Sequence, residues 1–258
     1  MNERGGLRQA ALALAVVSVL TTLGAGITAG VAAGQGDDPD GSGTLVRGKG
    51  DPTESGTGPS ETSTTEDPGF DYTGWKVVNG MPGDSGEVAS YRLPPTSWKP
   101  FASDYAVSFT DKSGKAYVSG HALANYYGNR CKDGGERVPG GWTVLADTVP
   151  SGDLKTIAED AARGWARGYG TNANGTTGTM TRAVAKEVTL DDGTTAARAS
   201  IDIDMSIFSG VCLPTKAQVS VTTIDTSEGA KTLVQARYVS AVGITDTQWR
   251  AIGQSLED

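Results

Sequence analysis

From Gln9 to Ala33 the chain carries no charged residue; Arg4 and Arg8 precede this run, and a long stretch rich in Gly, Ser, Thr and acidic residues follows it. At ~1.5 Å rise per residue, a helix of that length crosses a hydrocarbon core of about 30 Å, so no other segment has fewer folding options. Basic residues flank only its N-terminal side. This predicts residues 1–8 as a cytoplasmic tail, 9–33 as a transmembrane helix and everything beyond as extracellular, in a single-pass arrangement. Val31-Ala32-Ala33 also suits cleavage of a secretory signal, which would leave a secreted domain. A signal's apolar core spans about 7 to 15 residues, however, and here the apolar character continues through Leu20, Leu23 and Ile27. A retained anchor is the expectation, and with no Cys near its end it carries no lipid.

Residues 34–72 form the next segment. Between Gln35 and Tyr72 nine acidic residues face only Arg47 and Lys49, and Leu45, Val46 and Phe70 are almost the only large apolar side chains. Such a composition cannot bury enough surface to offset its ordering entropy, which predicts a disordered acidic linker. Nine acidic against two basic residues place −7 of the overall −8 on this tether and leave residues 73–258 nearly neutral. A near-neutral domain lacks the basic footprint of nucleic-acid binding.

The composition turns globular near Thr73, and the remaining length suffices for one domain with a core of its own. Ala89, Tyr91 and Leu93 alternate with polar neighbours in a strand that stops at Pro94-Pro95. Ala106 to Phe109, the turn Asp111 to Gly114 and Ala116 to Gly120 read as a hairpin. Leu154, Ile157, Ala158, Ala161, Ala162, Trp165 and Tyr169 recur at helical spacing behind Ser151 as a cap, and Gly168 with Gly170 supply the stop. Further strands are expected over Ala183 to Leu190, Ala197 to Ile207, Val219 to Ile224 and Leu233 to Val242, with Asp191-Asp192-Gly193 as a hairpin turn. Thr245 or Asp246 caps a short last helix through Trp249, Ile252 and Leu256. The prediction is an α+β domain: an antiparallel sheet with one central helix and a short C-terminal helix on one face.

Tyr91-Arg92-Leu93-Pro94, then Trp98, a hairpin, Gly120 to Tyr127, Cys131, the Ala-rich helix ending in Tyr169-Gly170, and a long β meander follow one another in an order that resembles a domain of unknown function in membrane-tethered surface proteins of actinobacteria. More distantly, the strand-Pro-Trp opening, central helix and final short helix are similar to the PsbP/Mog1-like fold of mycobacterial LpqN-type lipoproteins. Those proteins act as scaffolds or binding modules. The resemblance implies a fold and a compartment, and carries over no catalytic residue.

Cys131 and Cys212 are the two cysteines, and in an exported domain such a pair is most simply a disulfide. The alternative is a nucleophilic Cys131 thiol activated by His121. His121 is the one histidine, too few for a usual zinc site, and is expected on a strand, hydrogen-bonded to its surroundings. Gly83-Asp84-Ser85-Gly86 resembles the nucleophile loop of chymotrypsin-like proteases, but His121 follows Ser85 rather than preceding it, so a turn is the simpler reading. Asn174-Gly175-Thr176 has the N-glycosylation pattern, which in a bacterial chain carries no meaning by itself.

Asp202 and Asp204 alternate with Ile201 and Ile203 and should leave one face of a strand, about 6 to 7 Å apart. They are a candidate carboxylate pair, or simply a solvated face. Trp142, read in a loop after Val138-Pro139-Gly140-Gly141, is the candidate partner contact among the five tryptophans. Taken together, these features predict a non-catalytic cell-surface binding or envelope-interaction module. It needs no cofactor or metal, and its partner is an envelope protein or a small ligand. The alternatives are a secreted or surface hydrolase using Asp202 and Asp204, and a purely structural envelope protein.

Overall fold

The computed structural model describes residues 70–258 apart from 83–85, 87, 112–114, 129–130, 134, 173–174, 209, 211 and 241–242. The apolar run, nearly all of the acidic linker, the core of the Gly83 to Gly86 turn and Asn174 therefore lie outside the described residues. No helix among the described residues is long and apolar enough to cross a membrane.

The chain opens with β1 (Lys76–Asn79) and β2 (Ser90–Leu93), an antiparallel pair of its own, and continues through β3 (Trp98–Pro100), β4 (Val107–Thr110) and the long β5 (Ala116–Tyr126). A small ribbon, β6 (Lys132–Asp133) with β7 (Glu136–Arg137), leads to β8 (Gly141–Val149) and helix α1 (Leu154–Tyr169). Then come β9 (Thr179–Met180), β10 (Lys186–Thr189), β11 (Thr195–Asp204), β12 (Lys216–Thr226), β13 (Gly229–Tyr238) and helix α2 (Asp246–Gln254). The main sheet has nine strands in the order β10-β11-β12-β13-β8-β5-β3, with β4 added on β5 and β9 on β11, every pairing antiparallel.

Period-two alternation builds a core on each face of this sheet. On one side Ala197, Ala199, Ile201 and Ile203 of β11, with Val219 and Val221 of β12 and Val234 and Ala236 of β13, meet Ala158, Ala162, Trp165 and Ala166 of α1. On the other, Ala196, Ile224, Leu233 and Leu145 meet Tyr91 and Leu93 of β2 and Trp249, Ile252 and Leu256 from the α2 end of the chain. The expectation that both helices share one face is thus corrected. The α2 face carries polar residues that mimic a solvated side, and they are satisfied from within. Arg237 donates to Asp246 at 2.6 Å, to the Ile244 carbonyl at 3.2 Å and to Gln218, and stacks on Trp249 at 4.8 Å. Gln235 donates to the Trp249 carbonyl, and Arg198 to Gln254.

Local signals shift the element ends. Asp153, rather than Ser151, caps α1, accepting from the Lys155 and Thr156 amides; of the two caps expected for α2, Thr245 is the one, and Asp246 is the first helical residue. The Ala183 to Leu190 strand shortens to β10, because only those four residues find partners on β11. Asp191 to Gly193 does turn the chain, with Gly193 at φ +89° and the Asp192 carboxylate accepting from the Thr194 amide. The C-terminus closes on β2: Ser90 and Glu257 exchange both backbone hydrogen bonds at 2.9 Å, and Arg92 pairs with Glu257 at 2.7 Å.

Candidate functional site

Cys131 and Cys212 form a disulfide, joining the entry to β6 with the connection between β11 and β12. No thiol remains there for nucleophilic catalysis. Trp142 does not sit in a loop; it is the second residue of β8, half-buried on the α1 side, with its ring 5.5 Å from Trp165 and 5.6 Å from Tyr169. Asp202 and Asp204 do leave one face of β11, but the opposite one. Asp202 accepts from the Gln218 amide at 2.9 Å, and the Ser206 hydroxyl first, then the Ser206 backbone N–H at 2.9 Å, hold the Asp204 carboxyl below the usual Asp range. Trp142 therefore does not converge with the two aspartates on one site.

The described residues that do converge lie at the far ends of β5, β8 and β13. A β-bulge between His121 and Ala124 sets this up, with Ala122 in the left-handed region at φ +53°. The conformation is held by the buried Tyr91 hydroxyl, which donates to the Ala122 carbonyl at 2.7 Å and accepts from Thr143, and by the Ala122 N–H donating to Ser103. The bulge lets His121 share a face with Ala122 and Ala124, toward Asp147 on the neighbouring strand. His121 Nδ1 lies 3.9 Å from Asp147 Oδ1, close enough to attract and too far for a hydrogen bond, and it has no other hydrogen-bond partner among the described residues. From above, Gly80 covers the ring: a Cβ there would stand 3.1 Å from His121 Nε2 and 2.9 Å from Leu145 Cδ1.

Ser119, directly across from Asp147, donates its hydroxyl to the same carboxylate. The His121 imidazole, and to a lesser degree the Ser119 hydroxyl, hold the Asp147 carboxyl below the usual Asp range against the opposing pull of burial. Lys231 of β13 pairs with Glu228 at 3.0 Å, both side chains almost out of water at 11% and 13% exposure. His121, Asp147, Lys231 and Glu228, with the rim residues Met81 and Thr148, line a cleft of about 720 Å³, a size suited to a small organic ligand. A smaller cleft of about 510 Å³ opens toward α1 over Tyr117, Val149 and Trp165 and shares Asp147 with the first.

A pH prediction follows from Asp147. Its folded-state pKa is depressed, so its contacts contribute stability that is present above the unfolded value and lost as pH falls through the folded one. Thermal melts from about pH 6 down to about pH 2 should show Tm falling below about pH 4, and Asp147→Asn should flatten part of that fall. An unchanged acid limb in the variant would mean that His121 and Ser119 contribute nothing to the ionised carboxylate.

Sequence reasoning singled out His121 but missed its neighbours. Ser119 and Asp147 become partners only through the β5–β8 register, and Lys231 only through a second register shift between Ala230 and Thr232. Among the described residues no group of three or more His, Cys, Asp or Glu could hold a metal ion. No curated protein matches the chain. Residues 72–256, from the aromatic entry at Tyr72 to the buried Leu256, match the family model described as "Domain of unknown function (DUF8017)", and the chain belongs to that family.

Proposed function

We propose that this protein is a non-catalytic, membrane-tethered cell-surface module that binds a small ligand in the His121–Asp147–Lys231 cleft. The observation that carries this reading is the order of groups around Asp147: it stands between His121, which lines the same cleft, and Ser119, which lines the smaller cleft beyond. A serine nucleophile needs the imidazole next to its hydroxyl to take the proton. Here the hydroxyl is spent on a carboxylate held ionised, a weak base. The groups are fixed donors and acceptors, as a binding site requires, without a proton relay. Asp202 and Asp204, the pair a hydrolase would draw on, are engaged with Gln218 and with their own turn outside the cleft. Surface location rests on the apolar run, the acidic tether and the cysteine pair. The resemblance to tethered actinobacterial surface domains and LpqN-type lipoproteins supports the same role.

The test is a photo-crosslinking residue in place of Met81, which is 45% exposed at the cleft rim, in the full chain on intact cells. Saturable capture of one ligand, with the domain labelled by a membrane-impermeant amine reagent, is the expected result. Unsaturable capture would return the purely structural role, and an unlabelled domain would overturn the topology. An activity abolished by Asp202→Asn would favour the hydrolase.

A further inference from the structure

We infer that the cleft takes an uncharged, polyhydroxylated ligand, a carbohydrate, by using a carboxylate on one strand and an ammonium group on the next to hold neighbouring hydroxyls. The inference rests on the reading of this cleft as a ligand site and goes further by naming the ligand's chemistry.

Charge decides between the candidates. An anion such as phosphate finds Lys231 already neutralised by Glu228 at 3.0 Å and meets the Asp147 carboxylate besides. An organic cation is attracted by Asp147 but finds no Phe, Tyr or Trp ring among the lining residues to lie against, and the Glu228 carboxylate is already taken by Lys231. A wholly apolar ligand would strip water from these charges without replacing its hydrogen bonds. A ligand whose every hydroxyl both donates and accepts avoids all three costs, because it can donate to Asp147 and accept from Lys231 in one geometry.

The strands present these groups side by side. Ala146 of β8 faces Thr232 of β13, and Val149 faces Ala230, so Asp147 and Thr148 lie alongside Lys231. The hydroxyl of Thr148 extends the row of groups that can donate or accept, while that of Thr232 is buried and spent on Thr223 at 3.0 Å. Leu145, Ala89 and Met81 supply an apolar wall against which the C–H face of a sugar ring can lie. The volume of about 720 Å³ lies within the usual range for small-molecule sites.

Because His121 is the single histidine of the chain, its imidazole gives one unambiguous NMR reporter inside the cleft. The full-length protein, labelled with ¹⁵N, is titrated with trehalose, maltotriose and N,N′-diacetylchitobiose, and separately with putrescine and inorganic phosphate. We expect a saturable shift of the His121 signals with at least one sugar and none with the charged probes. Asp147→Asn should weaken that sugar about tenfold or more. Because that variant also touches His121 directly, Thr148→Val, at an exposed rim position, provides the second measure and should weaken binding severalfold with the free-state spectrum unchanged. A shift with putrescine or phosphate and silence with sugars overturns the ligand class while leaving the cleft a binding site. Silence with all five probes, joined to failure of capture at position 81, overturns both.

Discussion

Replacing Cys131 and Cys212 together by serine should destabilise the domain by up to about 4 to 5 kcal/mol, enough to lower Tm by about 10 °C or more. The bridge spans a sequence separation of 81, so in the chain-entropy model it removes a large share of the unfolded chain's freedom. The enclosed segment holds β8, α1 and β11, elements from both halves of the sheet. Both cysteines sit in connections, so the bridge can act on the unfolded chain with little to strain in the folded one. Urea unfolding of wild type with reductant should coincide with the double variant. A shift below about 1 kcal/mol would mean that the reduced chain keeps these connections together by other contacts.

Trp165→Ala should cost about 3–5 kcal/mol. Helix α1 buries Ala158, Ala162, Ala166 and Gly168, all small, and these let it lie close on the sheet: a Cβ at Gly168 would meet the Phe109 ring at 2.2 Å. Trp165 is the one large side chain of that face that is fully buried, at 1% exposure, with its ring 5.7 Å from Phe109 and 5.5 Å from Trp142. Truncation leaves a cavity that its small neighbours cannot fill. Denaturant titration should show a lower midpoint at unchanged m-value. A cost below about 1 kcal/mol would show that the alanine contacts alone hold the helix.

Periodicity made the helices, the β11–β13 meander and the α+β class legible, because Ala158/Ala162/Trp165 and Ile201/Ile203 repeat at the spacing of their elements. The second buried face was not legible. Leu233, Gln235 and Arg237 alternate with Val234 and Ala236, which is how a strand with one wet side reads, and only α2 folding back onto that side supplies the partners that make it dry. Strand β8 escaped for a related reason: Pro139-Gly140-Gly141 punctuates like a loop, although Gly141 is where β13 approaches closely, a Cβ there standing 2.7 Å from the Ala236 carbonyl. His121 could be singled out as the one imidazole. Its partners could not, since a left-handed Ala122 and two register shifts leave no local pattern in the residues.

The two faces of the sheet also differ in when they can form. The α1 core is made largely from contiguous chain between β5 and β13. The α2 core instead joins Tyr91 and Leu93, near the start of the domain, to Trp249, Ile252 and Leu256 at its end, sealed by the Ser90–Glu257 pairing. As a chain made from its N-terminus emerges, one layer can close while the other must wait for the last dozen or so residues. Until then this layer lacks the cover that Trp249, Ile252 and Leu256 supply, and loop-closure entropy across nearly the whole domain stands against it. The late-forming layer is thus where a truncated or stalled chain would be most prone to associate with another copy of itself.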